Sequence, residues 1–307
     1  MNERTDAVRT VADFSRSLAR PIVWAYFGAL GATVIWSSNV VAVKFTLREI
    51  PAFATGLLRI TLAAATLALW HVLHRKPFSI RAGERLSFVQ LGVAGIAWSF
   101  LLFTLALSYT SVAHAVFLGA LTPMAVLLLA RLGGQERVTP LKLVGMLISL
   151  VGVLLLSLDQ TGGLEASWKG DLLAIAGLWC FSFFTVRSKR LAPFYDSVSL
   201  TTYVFVLAAL FCLPFLVWQA PRVAWSGISW VGWASLLYSA TIGSAGAYLA
   251  YYYSLRTLTA SQVAAFQYVQ PVLSTAFGVL FLAESWGTKF TVGAALILAG
   301  VFLAERR

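Results

Sequence analysis

Long apolar stretches, each broken by a few charged, Pro, Gly or Ser positions, follow one another along the whole chain. A helix needs roughly 20 mostly apolar residues to cross the hydrocarbon core of a bilayer, and runs of that size recur here. The breaks predict ten spans, at 22–43, 52–72, 86–108, 112–131, 141–158, 170–187, 197–218, 231–254, 260–282 and 288–304. Residues 86–130 hold no Lys, Arg, Asp or Glu and are too many for one helix. The SYTS stretch (Ser108 to Ser111) is therefore expected to turn the chain. The pattern predicts an all-α integral membrane protein, with a polar tail over residues 1–20 ahead of the first span.

Composition supports that reading. Hydrophobic residues fill 59% of the 307 positions and charged ones 11%, against about 25% charged in soluble globular chains. The net charge of +11 lies in the breaks between spans and not in one patch, so it argues for membrane orientation and against a nucleic-acid partner. With ten spans, Lys and Arg fall seventeen on the side of the termini and five on the other, and Arg59 completes the 23. Both termini are thus expected in the cytoplasm, with the protein in a bacterial inner membrane. Residues 22–43 are too long for a signal-peptide core. Cys180 and Cys212 fall in apolar spans and read as small buried hydrophobes, so no metal or cofactor is expected.

The chain also repeats itself. Shifted by 148 positions, 109–156 overlays 257–304 without a gap, matching Pro123 to Pro271, Glu136 to Glu284, Gly145 to Gly293 and Gly152 to Gly300. A weaker match at a shift of 143 sets Trp36 on Trp179 and Lys44 on Arg187. Two five-span units result, 21–158 and 170–307. Because five is odd, the second must be inverted relative to the first, and inverted repeats are the architecture of many secondary transporters. Pro123 and Pro271 are expected to be matched structural elements of the two units.

The stretch WSSNVVAVKFTL (Trp36 to Leu47), the later Arg59, LSYTSVAHAVFLGALTPMAVLLLA and YSLRTLTASQVAAFQYVQPVLSTAFGVLFLAES resemble the drug/metabolite transporter superfamily, of EamA type. The likeness covers the chain after residue 20. Within that superfamily the aromatic-rich helices look most like the YddG-type exporters of aromatic and other amino acids. Members often have Glu before the proline of the ninth helix. Gln270 stands there instead, so carboxylate-dependent behaviour does not carry over.

The resemblance implies a substrate cavity, and the residues supply candidates to line it. Gln267, Gln270 and Ser274 fall on one helix face, and Pro271 has no N–H for the carbonyl of Gln267. That free carbonyl beside two carboxamides suits an ammonium group, although the glutamines would equally staple helices together. Gln262 and its mate His114 stand one turn into their helices, near the two mouths. His114 is either a pH-sensitive contact or a structural histidine. Trp36, Asn39, Trp98, Phe117, Trp179, Phe183, Tyr248, Tyr252 and Phe266 are candidate wall residues, each with packing as the ordinary alternative. Trp218, Trp225, Trp230 and Trp233 read as an interfacial belt. For Lys44 and Arg59, snorkelling, pairing with Glu49 and attraction of a substrate carboxylate all stand open.

The resemblance implies a carrier of amino acids, with membrane lipid as its other partner and a monomer as the expected state. Exporters of a nucleoside, sugar or drug-like compound, coupled to protons, are the alternative. No acid lies in the middle of a span, which favours facilitated export by alternating access over carboxylate-based antiport. An embedded enzyme would need clustered His, Asp or Glu, and a channel would need filter loops or charged rings. The sequence shows neither.

Overall fold

The computed structural model describes residues 2–106, 108–109, 118–157, 167–282 and 288–305, and every regular element among them is helical. Helix α1 (Asn2–Leu47) carries the polar tail and the first span as one rod, with Pro21 at their junction. Helix α2 (Ala52–Leu73) follows. Next, α3 (Arg85–Gln90), a π-helical stretch (Leu91–Ala97) and α4 (Trp98–Ala106) form one continuous helix. Ser108 and Tyr109 then turn, as expected of SYTS. Beyond them come α5 (Thr122–Leu132), α6 (Pro140–Ser157), α7 (Trp168–Leu191) and α8 (Ser197–Gln219). Helix α9 (Trp230–Ala240) passes through π-helical Thr241–Gly246 into α10 (Ala247–Thr257). Helix α11 (Ala260–Ala265) passes through a 3-10 stretch (Phe266–Val269) into α12 (Gln270–Leu282), and α13 (Thr288–Glu305) comes last.

Five stretches are long and apolar enough to cross a membrane: Pro21–Leu47, Ala52–Leu73, Ala82–Ala106, Trp168–Leu191 and Ser197–Arg222. Shorter apolar helices join them at Thr122–Leu132, Pro140–Leu156 and Thr291–Glu305. Apolar side chains such as Leu147, Val151, Leu298 and Phe302 face outward. In water such a surface would drive aggregation, whereas lipid accepts it. The chain is a multi-pass membrane protein.

Glycines set the closest helix contacts. Helices α6 and α13 form the most extensive pair. A Cβ on Gly145 would meet the Gly300 carbonyl oxygen at 2.6 Å, and one on Gly152 would meet that of Gly293 at 2.6 Å. Between them Ser149 Oγ donates to the Ile297 carbonyl at 3.2 Å. Under the 148-residue shift Gly145 corresponds to Gly293, Gly152 to Gly300 and Ser149 to Ile297. Each glycine therefore meets the mate of the other, and Ser149 meets its own.

Two further glycines lie 148 positions apart, Gly95 and Gly243, one in each π-helical stretch. A Cβ on Gly95 would meet Phe184 at 2.8 Å, and one on Gly243 would run into the Asn39 carboxamide.

Candidate functional site

A cavity of about 250 Å³ lies between α1, α2, α4, α7, α10 and the α11–α12 unit. It reaches toward the end of the molecule where α1 and α4 finish and α7 begins, through Lys44, Thr104 and Ala174. Its inner wall is aromatic. The Trp36 ring lies 5.8 Å from Phe181 and 5.4 Å from Tyr248, both also lining residues. Behind them, Tyr251 sits 5.2 Å from Trp36, and Phe184 sits 5.5 Å from Tyr248. These rings meet edge-to-face or tilted.

Three of the polar atoms that line the cavity have no partner among the described residues. Asn39 Oδ1 and Gln267 Nε2 are buried in the protein and bond to nothing among the described residues. Unpaired buried polar atoms are uncommon because each forfeits its hydration. Arg59 is buried too, at 8% exposure. One of its terminal nitrogens donates to Ser244 Oγ at 3.3 Å, and its guanidinium carbon lies 5.0 Å from the Phe100 ring centroid. Its Nε has no partner. Glu49 does not pair with it, because that carboxylate accepts from Ser229 N at 2.6 Å and Ser229 Oγ at 2.7 Å. The side-chain bond first, then the backbone one, holds the Glu49 carboxyl below the ordinary carboxylate range.

The opposite end of the molecule is held by a polar clasp. Glu136 accepts from Lys142 Nζ at 2.9 Å, from Ser261 N at 3.0 Å and from Ser261 Oγ. Burial would raise the Glu136 carboxyl, but those bonds together outweigh it and keep the group below its ordinary value. Beside it Glu305 accepts from Tyr26 at 3.0 Å and from Gln262 at 2.9 Å.

The model of the EamA-like transporter family matches twice, at residues 23–158 and 168–305. The chain belongs to that family. It is similar to an uncharacterized transporter of Archaeoglobus fulgidus, 28% identical over 89% of this chain and 94% of the relative. It is also similar to the uncharacterized transporter YetK of Bacillus subtilis, 25% identical over 93% and 88%. A riboflavin transporter of Brucella anthropi is 28% identical over 71% and 75%. One solved crystal structure aligns over 94% of this chain and 96% of its own with a TM-score of 0.75 at 20% identity, which shows a shared fold.

In this EamA-like transporter, Trp36, Asn39, Tyr248, Gln267 and Gln270 meet at the cavity, as do Pro271 and the glutamines' mates Gly119 and Thr122. Phe266 to Val269 form a 3-10 turn, in which positions three apart eclipse each other, so Gln267 and Gln270 share a face. The Gln267 carbonyl is not free, however. It accepts from the Gln270 N–H. Pro271 lies in the first turn of α12, where a missing N–H is no loss, and Pro123 lies likewise in the first turn of α5.

Other candidates stand elsewhere. Trp179 and Phe183 are each two residues from Phe181, about 200° round a helix, and neither lines the cavity; Trp179 is 40% exposed. Trp98 faces outward beside Phe211. Tyr252 is buried behind the wall, where Ser188 Oγ donates to its hydroxyl at 3.3 Å. Gln262 closes a capping box with Thr259 and joins the clasp, and the Phe266 ring packs on Tyr26. His114 and Phe117 lie outside the described residues. Phe181 and Phe100 escaped sequence reasoning, since one Phe among the 21 of the chain carries no mark of the cavity it lines.

Proposed function

We propose that this transporter is a ten-span, inverted-repeat exporter of neutral amino acids, aromatic ones among them, of the YddG type. The cavity carries this reading. At about 250 Å³ it falls below the roughly 300–1,000 Å³ of drug-sized clefts, and it joins an aromatic wall to unpartnered amide groups. Rings pack a hydrophobic side chain, and buried amides await the polar atoms of a bound molecule. Reciprocal packing of Gly145 on Gly300 and Gly152 on Gly293 supports two units related by a twofold axis. The double family match favours the same arrangement.

Charge bias puts the termini and the clasp in the cytoplasm of a bacterial cell, so the cavity opens outward in this state. Export then requires the aromatic wall and the clasp to part while the outer ends close. Among the described residues no Asp or Glu lines the cavity, which favours facilitated transport. The riboflavin relative prompts a second reading, a neutral ring-bearing metabolite, which the aromatic wall also suits.

Counterflow in proteoliposomes, with labelled amino acids, nucleosides, sugars and riboflavin and no imposed pH difference, tests the proposal. Exchange of phenylalanine, tryptophan and smaller neutral amino acids is expected. Exchange of riboflavin or a nucleoside alone, or amino-acid flux only under a pH gradient, would overturn it.

A further inference from the structure

We propose that Arg59 anchors the carboxylate of the transported molecule, and that the cargo class is small carboxylic acids with an apolar or aromatic body. This deepens the amino-acid reading and rests on the same cavity. A charge within a span is costly and is normally paired or functional. A guanidinium offers five N–H donors. Arg59 directs one bond to Ser244, leaves Nε unpartnered and meets no carboxylate among the described residues. Snorkelling does not describe it, since the side chain is 8% exposed and lines the cavity.

The surroundings specify the sign and shape of a ligand that fits. Among the described residues two cations line the cavity, Lys44 exposed at the mouth and Arg59 within, and no acid opposes them. Lys44 draws anions inward, and the planar fork of Arg59 matches a carboxylate with two parallel bonds. The Phe100 ring on the guanidinium and the Trp36, Phe181 and Tyr248 rings next to it take an apolar body. Asn39 Oδ1, a lone acceptor on the same wall, can take an N–H of an α-ammonium group. A neutral acceptor welcomes that group without requiring it. The carboxylate is therefore essential and the amine optional.

Four ligands of one shape separate these demands: phenylalanine, 3-phenylpropionate, phenylalaninamide and phenethylamine. Each is measured by thermal shift of the purified full-length protein and by competition in counterflow. The two acids should bind, and the amide and amine should be about tenfold weaker or worse, the loss expected for a charge-assisted bidentate contact. Arg59→Gln should lose that preference and Arg59→Lys should keep part of it. An arginine that only tied α2 to Ser244 would leave ligand selectivity untouched in both variants. Equal binding of acid and amide by the native protein overturns the anchor, whether or not Arg59→Gln folds. If 3-phenylpropionate binds and amino acids do not, the anchor stands and the amino-acid reading falls. If amino acids exchange but the amide competes equally, the reverse holds.

Discussion

Lys44 and Arg59 both interrupt apolar spans, yet their settings differ. Lys44 is exposed, whereas Arg59 is buried against Phe100. A lone charge in an uncharged run is easy to see in a sequence. Its lack of a counter-ion is not, because Glu49 lies close by in the chain and only the fold assigns it to Ser229. Asn39 illustrates a second contact of this kind. Its carboxamide occupies the space a side chain at position 243 would need. Gly243→Ala should therefore destabilise the protein by about 1–3 kcal/mol, the usual cost of overpacking. Asn39→Ala in the same chain should restore most of it. Thermal unfolding of the two single variants and the double variant in detergent gives the coupling, and plain additivity would refute the contact.

Helices were largely legible, but the tightest of their pairings was not. The 148-residue overlay matched Gly145 to Gly293 and Gly152 to Gly300 without saying which helices touch, and only the fold brings α6 against α13. Gly145→Leu or Gly300→Leu should cost about 3 kcal/mol or more, since backbone and not a pliable side chain stands in the way. A drop in melting temperature for both, with little change for the outward Leu147→Ala, checks this. The π-helical stretches were not legible. One extra residue per turn shifts the faces before and after it without changing composition. Trp98, which begins the helix just after the first such stretch, faces outward. Helix ends are another matter of local chemistry. Asp196 caps α8 through Ser199 N at 3.1 Å and also accepts from Lys76 at 2.9 Å. Asp196→Ala should cost about 1 kcal/mol, read as a lower denaturation midpoint, with Asp196→Asn recovering most of the loss.

At the scale of the whole molecule, an open cavity at one end faces a polar clasp at the other. The clasp joins α1, α6, α11 and α13. None of this was readable from Glu136 alone, which in the sequence is simply an acid at a helix end. Its carboxyl is held below the ordinary range near 4.3, so its contribution is complete at neutral pH. That contribution fades as pH falls through the ordinary carboxylate range and is gone below the folded value. Unfolding temperature in detergent should therefore begin to drop only below about pH 5 and go on falling below pH 4, and Glu136→Gln should flatten the drop. Removing one partner of so buried a pair typically costs about 3–5 kcal/mol, which makes Glu136→Ala markedly unstable even at pH 7. A pH response unchanged in Glu136→Gln would place the titrating group elsewhere.

An unpaired Arg59 also bears on how the cell's own voltage acts on the transport cycle. Behind the exposed Lys44 at the mouth, Arg59 holds one positive charge inside the cavity with no counter-ion among the described residues. Carrying such a charge across the full field would cost about 2.3 kcal/mol per 100 mV, and a shorter excursion proportionately less. A zwitterionic cargo leaves that charge in place, so empty and loaded carriers feel the potential alike. An organic acid cancels it, so only the empty return would be voltage-dependent. Turnover recorded against imposed potential thus reports the net charge of the natural cargo before its structure is known.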